Sequence, residues 1–274
     1  MMCKETEFED IFIKKKLPFN KCMLLPEPFD RYALNYKEWQ EYAKKQNPPG
    51  KGLLVCASIK TFLTKDVSYI EKALSLVEPS TSKDKAIITG LAGMVFSYIG
   101  QKAKGIQMLR DALQTHSSSN IILNLATELD DELLDEGIEL CKSVLKDEPD
   151  NIMALRIVAV KYLNQDNIEE ARKCISRALN TEPKNKLLRQ VLGDVFYSEE
   201  KYSLALKEYN KAKAFLQFKP YISYRLAMCY YYLGKFKKSK KLALKIRDEV
   251  FQNDPYFRDN SVEIKKMLSQ INSK

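Results

Sequence analysis

Small and aromatic residues return along the second half of the chain at an interval of 34 positions. One column holds Ala171, Ala205 and Ser239, a second Ala178, Ala212 and Ile246, a third Ala159, Gly193 and Ala227. An aromatic column reads Tyr162, Phe196, Tyr230, while Asn164, Ser198 and Tyr232 show a position without constraint. Fixed columns alternating with free ones are what a stacked repeat with a buried and a wet side produces. Leu, Lys, Ala, Glu and Ile dominate and there are only nine glycines and ten prolines, so the expected elements are helices. Near the C-terminus, Ile264, Met267, Leu268 and Ile271 form one stripe with lysines opposite. This predicts an amphipathic helix over 258–272, with Asn260 as N-cap and Glu263 three residues on. Residues 1–50 do not follow the repeat. There "LPFNKCMLLPEPF" carries three prolines and reads as extended, "YALNYKEWQEYAKKQ" reads as a helix bearing the single Trp39, and "NPPGKG" reads as a turn or hinge.

The columns resemble the tetratricopeptide repeat, whose pattern runs large-x2-Leu-Gly-x2-Tyr, Ala-x3-Phe, small residue, Pro. It stands here as Leu192-Gly193-x-x-Phe196, Ala205-x3-Tyr209, Ala212, and as Val158-Ala159-x-x-Tyr162, Ala171-x3-Ile175, Ala178, Pro183. A third copy runs Leu226-Ala227-x-x-Tyr230, Gly234, Phe236, Ser239-x3-Ala243, Ile246. Weaker copies run Ala92-Gly93-x-x-Phe96, Gly100, Gly105-x3-Leu109, Ala112, and Leu125-Ala126-x-x-Leu129, Gly137-x3-Cys141, Val144, Pro149, the latter with a shortened loop. The resemblance implies an all-α solenoid of antiparallel helix pairs. It divides the chain into a non-repeat arm (1–50), a degenerate repeat (51–85), five repeats (86–118, 119–151, 152–185, 186–219, 220–253) and a capping helix with a wet outer face (258–272). The small residues then mark where helices approach closely, because a larger side chain would hold the backbones apart.

The 274 residues are 45% hydrophobic and 30% charged, a globular balance with room for one or two domains or one extended array. The six cysteines are widely spaced without a C-x-x-C pair, which reads as reduced, partly buried thiols rather than a metal site or disulfide framework. No apolar run suits a signal peptide or reaches bilayer length, so a cytoplasmic protein without a membrane span is expected, with the nucleus as second compartment. The net charge of +9 is polarised: Lys201 to Arg247 holds thirteen Lys or Arg and one acid, Glu208, while Glu128 to Asp150 holds ten acids and two lysines.

Candidates for chemistry are few. The single His116 falls in a loop between repeats, beside Ser117 to Ser119, and reads as solvated. The chain has no G-x-S-x-G, no glycine-rich phosphate loop and no metal-spaced His/Cys set. The acidic run "ELDDELLDEGIE" lacks the spacing of a calcium loop, and its Leu129, Leu133, Leu134 and Ile138 suggest a solvated helix face. A non-catalytic protein without cofactor or metal is the expectation.

Two surfaces remain. In "PYISYRLAMCYYYLG", Ile222, Leu226, Ala227, Tyr230 and Leu233 fill the intra-repeat stripe, leaving Tyr221, Tyr224, Met228, Tyr231 and Tyr232 on another side. Such a stripe is covered either by the chain's own termini or by a partner. Tyr197, Asp194, Arg156 and Asn164 extend it along the groove that the family resemblance implies. The carboxylate clamp of one subclass is not supported: its positions hold Arg156 and Val160, Gln190 and Asp194, Tyr221 and Tyr224, with only Arg225 matching. The second surface is Lys237, Lys238, Lys240, Lys241 and Lys245, read as a solvated face because no stacking aromatics interleave with it. The leading expectation is a scaffold or adaptor holding a peptide or helix of another protein; the alternative is RNA bound by the basic C-terminal third. The sequence leaves the oligomeric state open.

Overall fold

The computed structural model describes residues 66–212, 219–250 and 264–271, with isolated positions at 41, 44, 45, 54, 57, 58 and 61. The arm over 1–50, apart from positions 41, 44 and 45, lies outside the described residues, as do "NPPGKG", Asn260 and Glu263. Every regular element among the described residues is helical, and the chain divides into two compact units, Met1–Pro149 and Asp150–Lys274.

The first unit contains α1 (Ser68–Leu76), α2 (Ser82–Tyr98), α3 (Lys102–Thr115), α4 (Ser119–Glu128) and α5 (Leu134–Asp147). Helix α2 packs on α3 and α4 on α5, while α3 and α2 both meet α4. The second unit contains α6 (Ile152–Asn164), α7 (Ile168–Thr181), α8 (Lys186–Ser198), α9 (Tyr202–Ala212), α10 (Lys219–Tyr232) and α11 (Phe236–Val250). There α6–α7, α8–α9 and α10–α11 pair, α7 meets α8, α9 meets α10, and α6 meets α8. Residues 264–271 are helical and belong to this second unit.

Local chemistry sets the helix ends. Thr81, Ser118, Asn151, Asn167 and Asn185 each accept a backbone N–H of the first turn, at 2.9–3.5 Å, and so occupy donors the helix leaves unpaired. The other ends repeat one device. Gly100, Asp166, Glu200 and Gly234 all have positive φ, between 58° and 95°. Each N–H donates to the carbonyl three residues back, and the next N–H donates to the carbonyl of the aromatic column: Gln101 to Phe96, Asn167 to Tyr162, Lys201 to Phe196, Lys235 to Tyr230, at 2.8–2.9 Å. This Schellman pair closes the helix and reverses the chain. The α4–α5 connection departs from it. Leu129 is extended, and a single 3-10 turn (Asp131–Leu133) leads into α5, so the acidic run is a connection followed by a helix rather than one continuous helix face. Helices α5 and α7 stop at Asp147 and Thr181, just before Pro149 and Pro183.

The small columns are buried contact points. Ala92, Ala126, Ala159, Ala171, Ala205, Ala227 and Ala243 are all inaccessible to solvent. A Cβ on Gly105 would lie 2.5 Å from the Gly93 carbonyl oxygen and 2.7 Å from the Ser97 nitrogen, so α2 and α3 touch backbone to backbone.

Candidate partner-binding surface

The sequence-selected side chains of the second unit separate into three environments. Asp194, on α8, is 9% exposed. Its Oδ1 accepts from Tyr209 Oη at 2.7 Å and from Tyr221 Oη at 2.6 Å, and Arg225 Nε stands 3.4 Å away. Arg225 Nε also donates to Tyr221 Oη at 2.9 Å, and its guanidinium lies over the Tyr197 ring at 4.6 Å. Burial pushes the Asp194 carboxyl above the ordinary carboxylate range, against the pull of Arg225, Tyr221 and Tyr209. Burial likewise drives the Tyr209 phenol up, with Asp194 adding to it, so the hydroxyl remains a donor. Asp194 is therefore an interior tie joining α8, α9 and α10, and not the exposed groove contact its column suggests.

Tyr224 and Met228 are the second group, at 3% and 6% exposure. They share a core cluster with Ala227, Ala243, Ile246, Ile264 and Met267, and Leu268 and Ile271 pack against it. The helical segment 264–271 thus covers them. Ser239 Oγ, fully buried, donates to the Ala227 carbonyl at 2.8 Å and lies 3.4 Å from Met267 Sδ. Met228 and Asp194 occupy one column, 34 residues apart. Asp194 bonds to Tyr221 on the following A helix, and Met228 packs against segment 264–271, so this column faces whatever helix comes next. Tyr224 and Met228 are accordingly core side chains here, a correction to reading them as part of an open groove.

The third group remains wholly or partly accessible: Asn164 is exposed, and Arg156, Tyr197, Tyr221 and Tyr231 are half-buried. Tyr231 Oη donates to Gln270 Oε1 at 2.6 Å. Tyr232 is 49% exposed and stacks on Tyr202, with centroids 4.5 Å apart and planes 11° apart. Tyr197 meets both edge-on, and Tyr231 meets both Tyr232 and Phe236. Tyr202 is a residue that sequence reasoning misses. Its only signal is its place in the same column as Phe236, beside a turn.

Lys237, Lys238, Lys240 and Lys241 are exposed on α11, and the Lys238 ammonium lies 5.7 Å from the Tyr230 ring centroid. The Lys245 side chain lies outside the described residues. Cys141 and Cys229 are buried cysteines outside any disulfide and Cys174 a half-buried one; burial pushes Cys229 up to about 12, away from thiolate chemistry. His116 is half-buried at the end of α3. No group of three or more His, Cys, Asp or Glu among the described residues is placed to hold a metal. None of the described helices is long and apolar enough to cross a membrane.

Antiparallel helix pairs stacked through small-residue columns define the class: an all-helical repeat protein of the α-solenoid type. The profile of the Tetratricopeptide repeat family matches residues 128–195. A Tetratricopeptide repeat protein 30 homolog of Caenorhabditis briggsae is 28% identical over 136 residues, which are 49% of this chain and 18% of that protein. The chain therefore spans under a fifth of the length of this curated relative. A thermophilic TPR protein of Thermus thermophilus superposes with a TM-score of 0.58 at 17% identity, covering 67% of this chain and 98% of that one. A tetratricopeptide repeat protein of Parabacteroides merdae gives 0.55 at 15% identity, covering 87% and 92%. At such identities the two structures speak for the fold alone. Repeat columns, family profile and fold agree that the chain carries tetratricopeptide repeats, with the profile match confined to residues 128–195.

Proposed function

We propose that the protein is a non-catalytic scaffold whose second unit holds a peptide or helical segment of a partner protein on the A helices α6, α8 and α10. Tetratricopeptide repeats generally mediate protein–protein interaction, and their fold is typically a scaffold. The observation that carries the reading is the set of side chains these helices leave accessible. Arg156 and Asn164 on α6, Tyr197 on α8, and Tyr221 and Tyr231 on α10 combine aromatic area with hydrogen-bonding tips. Such groups are enriched where proteins bind one another. How α10 treats segment 264–271 supports it: an amphipathic helix is accepted on Tyr224 and Met228 through Ile264 and Met267. The test is capture of partners from native lysate by the immobilised full chain, before and after nuclease treatment. Arg156→Glu with Asn164→Lys is expected to lose a nuclease-resistant partner while retaining the wild-type thermal melt. Retention of every such partner by the double variant would refute the A-helix surface.

A further inference from the structure

The lysines at the start of α11 do not stand alone. Lys235 is in the α10–α11 turn and Lys237 and Lys238 in the first turn of α11, all three exposed. Tyr232 ends α10 immediately before that turn, its ring stacked on Tyr202 of α9. Tyr202 itself follows the exposed Lys201 in the preceding, equivalent turn. Lys238 lies over Tyr230, and Phe236 lies against Tyr231. Two neighbouring turns, 34 residues apart, therefore bring ammonium groups and aromatic rings to one edge of the second unit. In the sequence the lysines appear without stacking partners; in the fold, α9 supplies the partner.

We infer that this edge, with Tyr232 stacked on Tyr202 and Lys235, Lys237 and Lys238 beside it, is a binding platform for single-stranded nucleic acid. The inference is independent of the protein-scaffold reading. Three features favour this occupant. The edge is cationic on the α10–α11 side: from Lys201 to Arg247 the one acid is Glu208, held by Arg189 at 2.9 Å and Lys211 at 2.6 Å. In the preceding turn Glu199 pairs with Lys201 at 3.0 Å and Glu200 stands beside it, so the positive charge is carried by Lys235, Lys237 and Lys238. The local field thus selects an anion. The Tyr202–Tyr232 pair is nearly parallel, so the half-exposed Tyr232 has one side on its partner and ring area left for a planar group. Every nucleobase offers a π-face to such a ring, so recognition is tolerant of sequence. Tyr202, Tyr197 and Tyr231 also brace Tyr232 on three sides, so little side-chain freedom is left to lose on binding. A backbone of phosphates meets the lysines as point charges.

The experiment is fluorescence anisotropy of labelled oligouridine with the full chain, titrated at several salt concentrations. Oligothymidine separates RNA from DNA, and oligoglutamate of equal length serves as an acidic-protein mimic. Binding is expected at low salt, with log affinity falling linearly in log salt. Tyr232→Ala should weaken it by about tenfold, as loss of one base stack does, while Tyr232→Phe retains it. Lys237→Gln with Lys238→Gln should flatten the salt slope by ~0.7 for each phosphate that is no longer neutralised. Lys184→Gln, in the loop before α8, is the control expected to change nothing. Preference for oligouridine over oligothymidine would assign the site to RNA, and equal binding to single strands generally. The inference is overturned if neither oligonucleotide binds at low salt, if Tyr232→Ala binds like wild type, or if oligoglutamate binds as tightly as oligouridine. Thermal melts of the Tyr232 variants establish that any loss is not unfolding.

Discussion

The α2–α3 pair of the first unit and the α8–α9 pair of the second solve one packing problem in opposite ways. In both, a glycine on the A helix faces the B helix. At Gly93 an added Cβ would meet the Gly105 carbonyl oxygen at 2.8 Å and Leu109 Cγ at 3.0 Å: the helices touch through backbone. At Gly193 it would meet the Tyr209 ring at 2.6 Å: the absent side chain makes room for an aromatic one. The position of Leu109 and Tyr209 holds Cys141 and Ile175 in the repeats between them, and where it holds Ile175 the glycine column of the same repeat holds Ala159, both fully buried. Volume is thus exchanged across the contact, which close packing demands wherever the helix spacing is fixed. The ring brings a consequence that leucine does not. Its hydroxyl must find a partner once buried, and Asp194 supplies it, itself held by Tyr221 and Arg225. A dry contact closes one pair, and a polar network that reaches into the next pair closes the other.

The sharpest break in the comparison is Gly105→Ala. The new methyl would fall 2.5 Å from one backbone oxygen and 2.7 Å from a backbone nitrogen, and no side-chain rotation relieves either. A loss of about 2–3 kcal/mol is expected, net of the higher helix propensity of alanine. Urea denaturation followed by circular dichroism measures it, and stability equal to wild type would mean that α2 and α3 are not in backbone contact. Gly193→Ala should cost less, about 1–2 kcal/mol, because the obstacle is a side chain. It should also be rescuable: adding Tyr209→Ile recreates the Ala159–Ile175 combination and should recover part of the loss. No such second-site rescue is expected for Gly105→Ala on shortening Ser97, the side chain facing it, because the Gly93 oxygen and the Ser97 nitrogen remain in the way. If both glycine variants respond alike to shortening the facing side chain, the distinction between the two closures fails.

The polar closure should also carry a pH signature that the dry one lacks. Asp194 has its carboxyl raised by burial, so the native state holds that proton to higher pH than the unfolded chain. The sign follows: its contribution is fully present below the unfolded carboxylate value and is lost as pH rises through the native one. Relative to wild type, Asp194→Asn should therefore be least favourable at acid pH and improve as pH approaches neutrality, since the amide cannot ionise. Parallel stability–pH profiles for the two proteins would show that Asp194 does not titrate as its burial requires.

How much of this the sequence showed depends on the range of each contact. The columns at Ala171, Ala205 and Ser239 and at Ala159, Gly193 and Ala227 were legible because they lie inside a repeat, where the same two helices meet each time. The positions of Asp194, Tyr224 and Met228 reach beyond their own repeat to the next helix as well as to their own partner helix, and the period says nothing about what that next helix brings. For Asp194 it brought Tyr221 and Arg225; for Tyr224 and Met228 it brought the segment with Ile264 and Met267. The amphipathic stripe of that segment was visible, but not which helix it would cover. The Tyr202–Tyr232 stack was hidden for the same reason, since it joins side chains from two repeats. The 3-10 turn at Asp131–Leu133 was masked by leucines whose spacing imitates a continuous helix.

The smallest expected effects lie at the turns and isolate backbone from packing. Gly100 in the first unit and Glu200 in the second hold the same left-handed position, with φ of 95° and 58°. Their closing hydrogen bonds match: Gly100 to Ser97 at 3.1 Å and Gln101 to Phe96 at 2.9 Å, against Glu200 to Tyr197 and Lys201 to Phe196, both at 2.9 Å. Nothing lies within 4 Å of a Cβ built on Gly100, so the space there is open and only the dihedral angle resists a side chain. An L-residue in this region pays roughly 1 kcal/mol relative to glycine. Gly100→Ala should therefore destabilise by about that amount, and Glu200→Gly should stabilise by somewhat less, because glycine also gains freedom in the unfolded chain. The ion pairs of Glu199 with Arg172 and Lys201 stand beside the turn and are left intact by the second change. Chemical denaturation of both variants reads the two shifts directly. Opposite signs of similar size would show that the turns are the same device in both units. A loss on Glu200→Gly would mean that its side chain contributes more than its backbone costs, and the equivalence of the two turns would end at their hydrogen bonds.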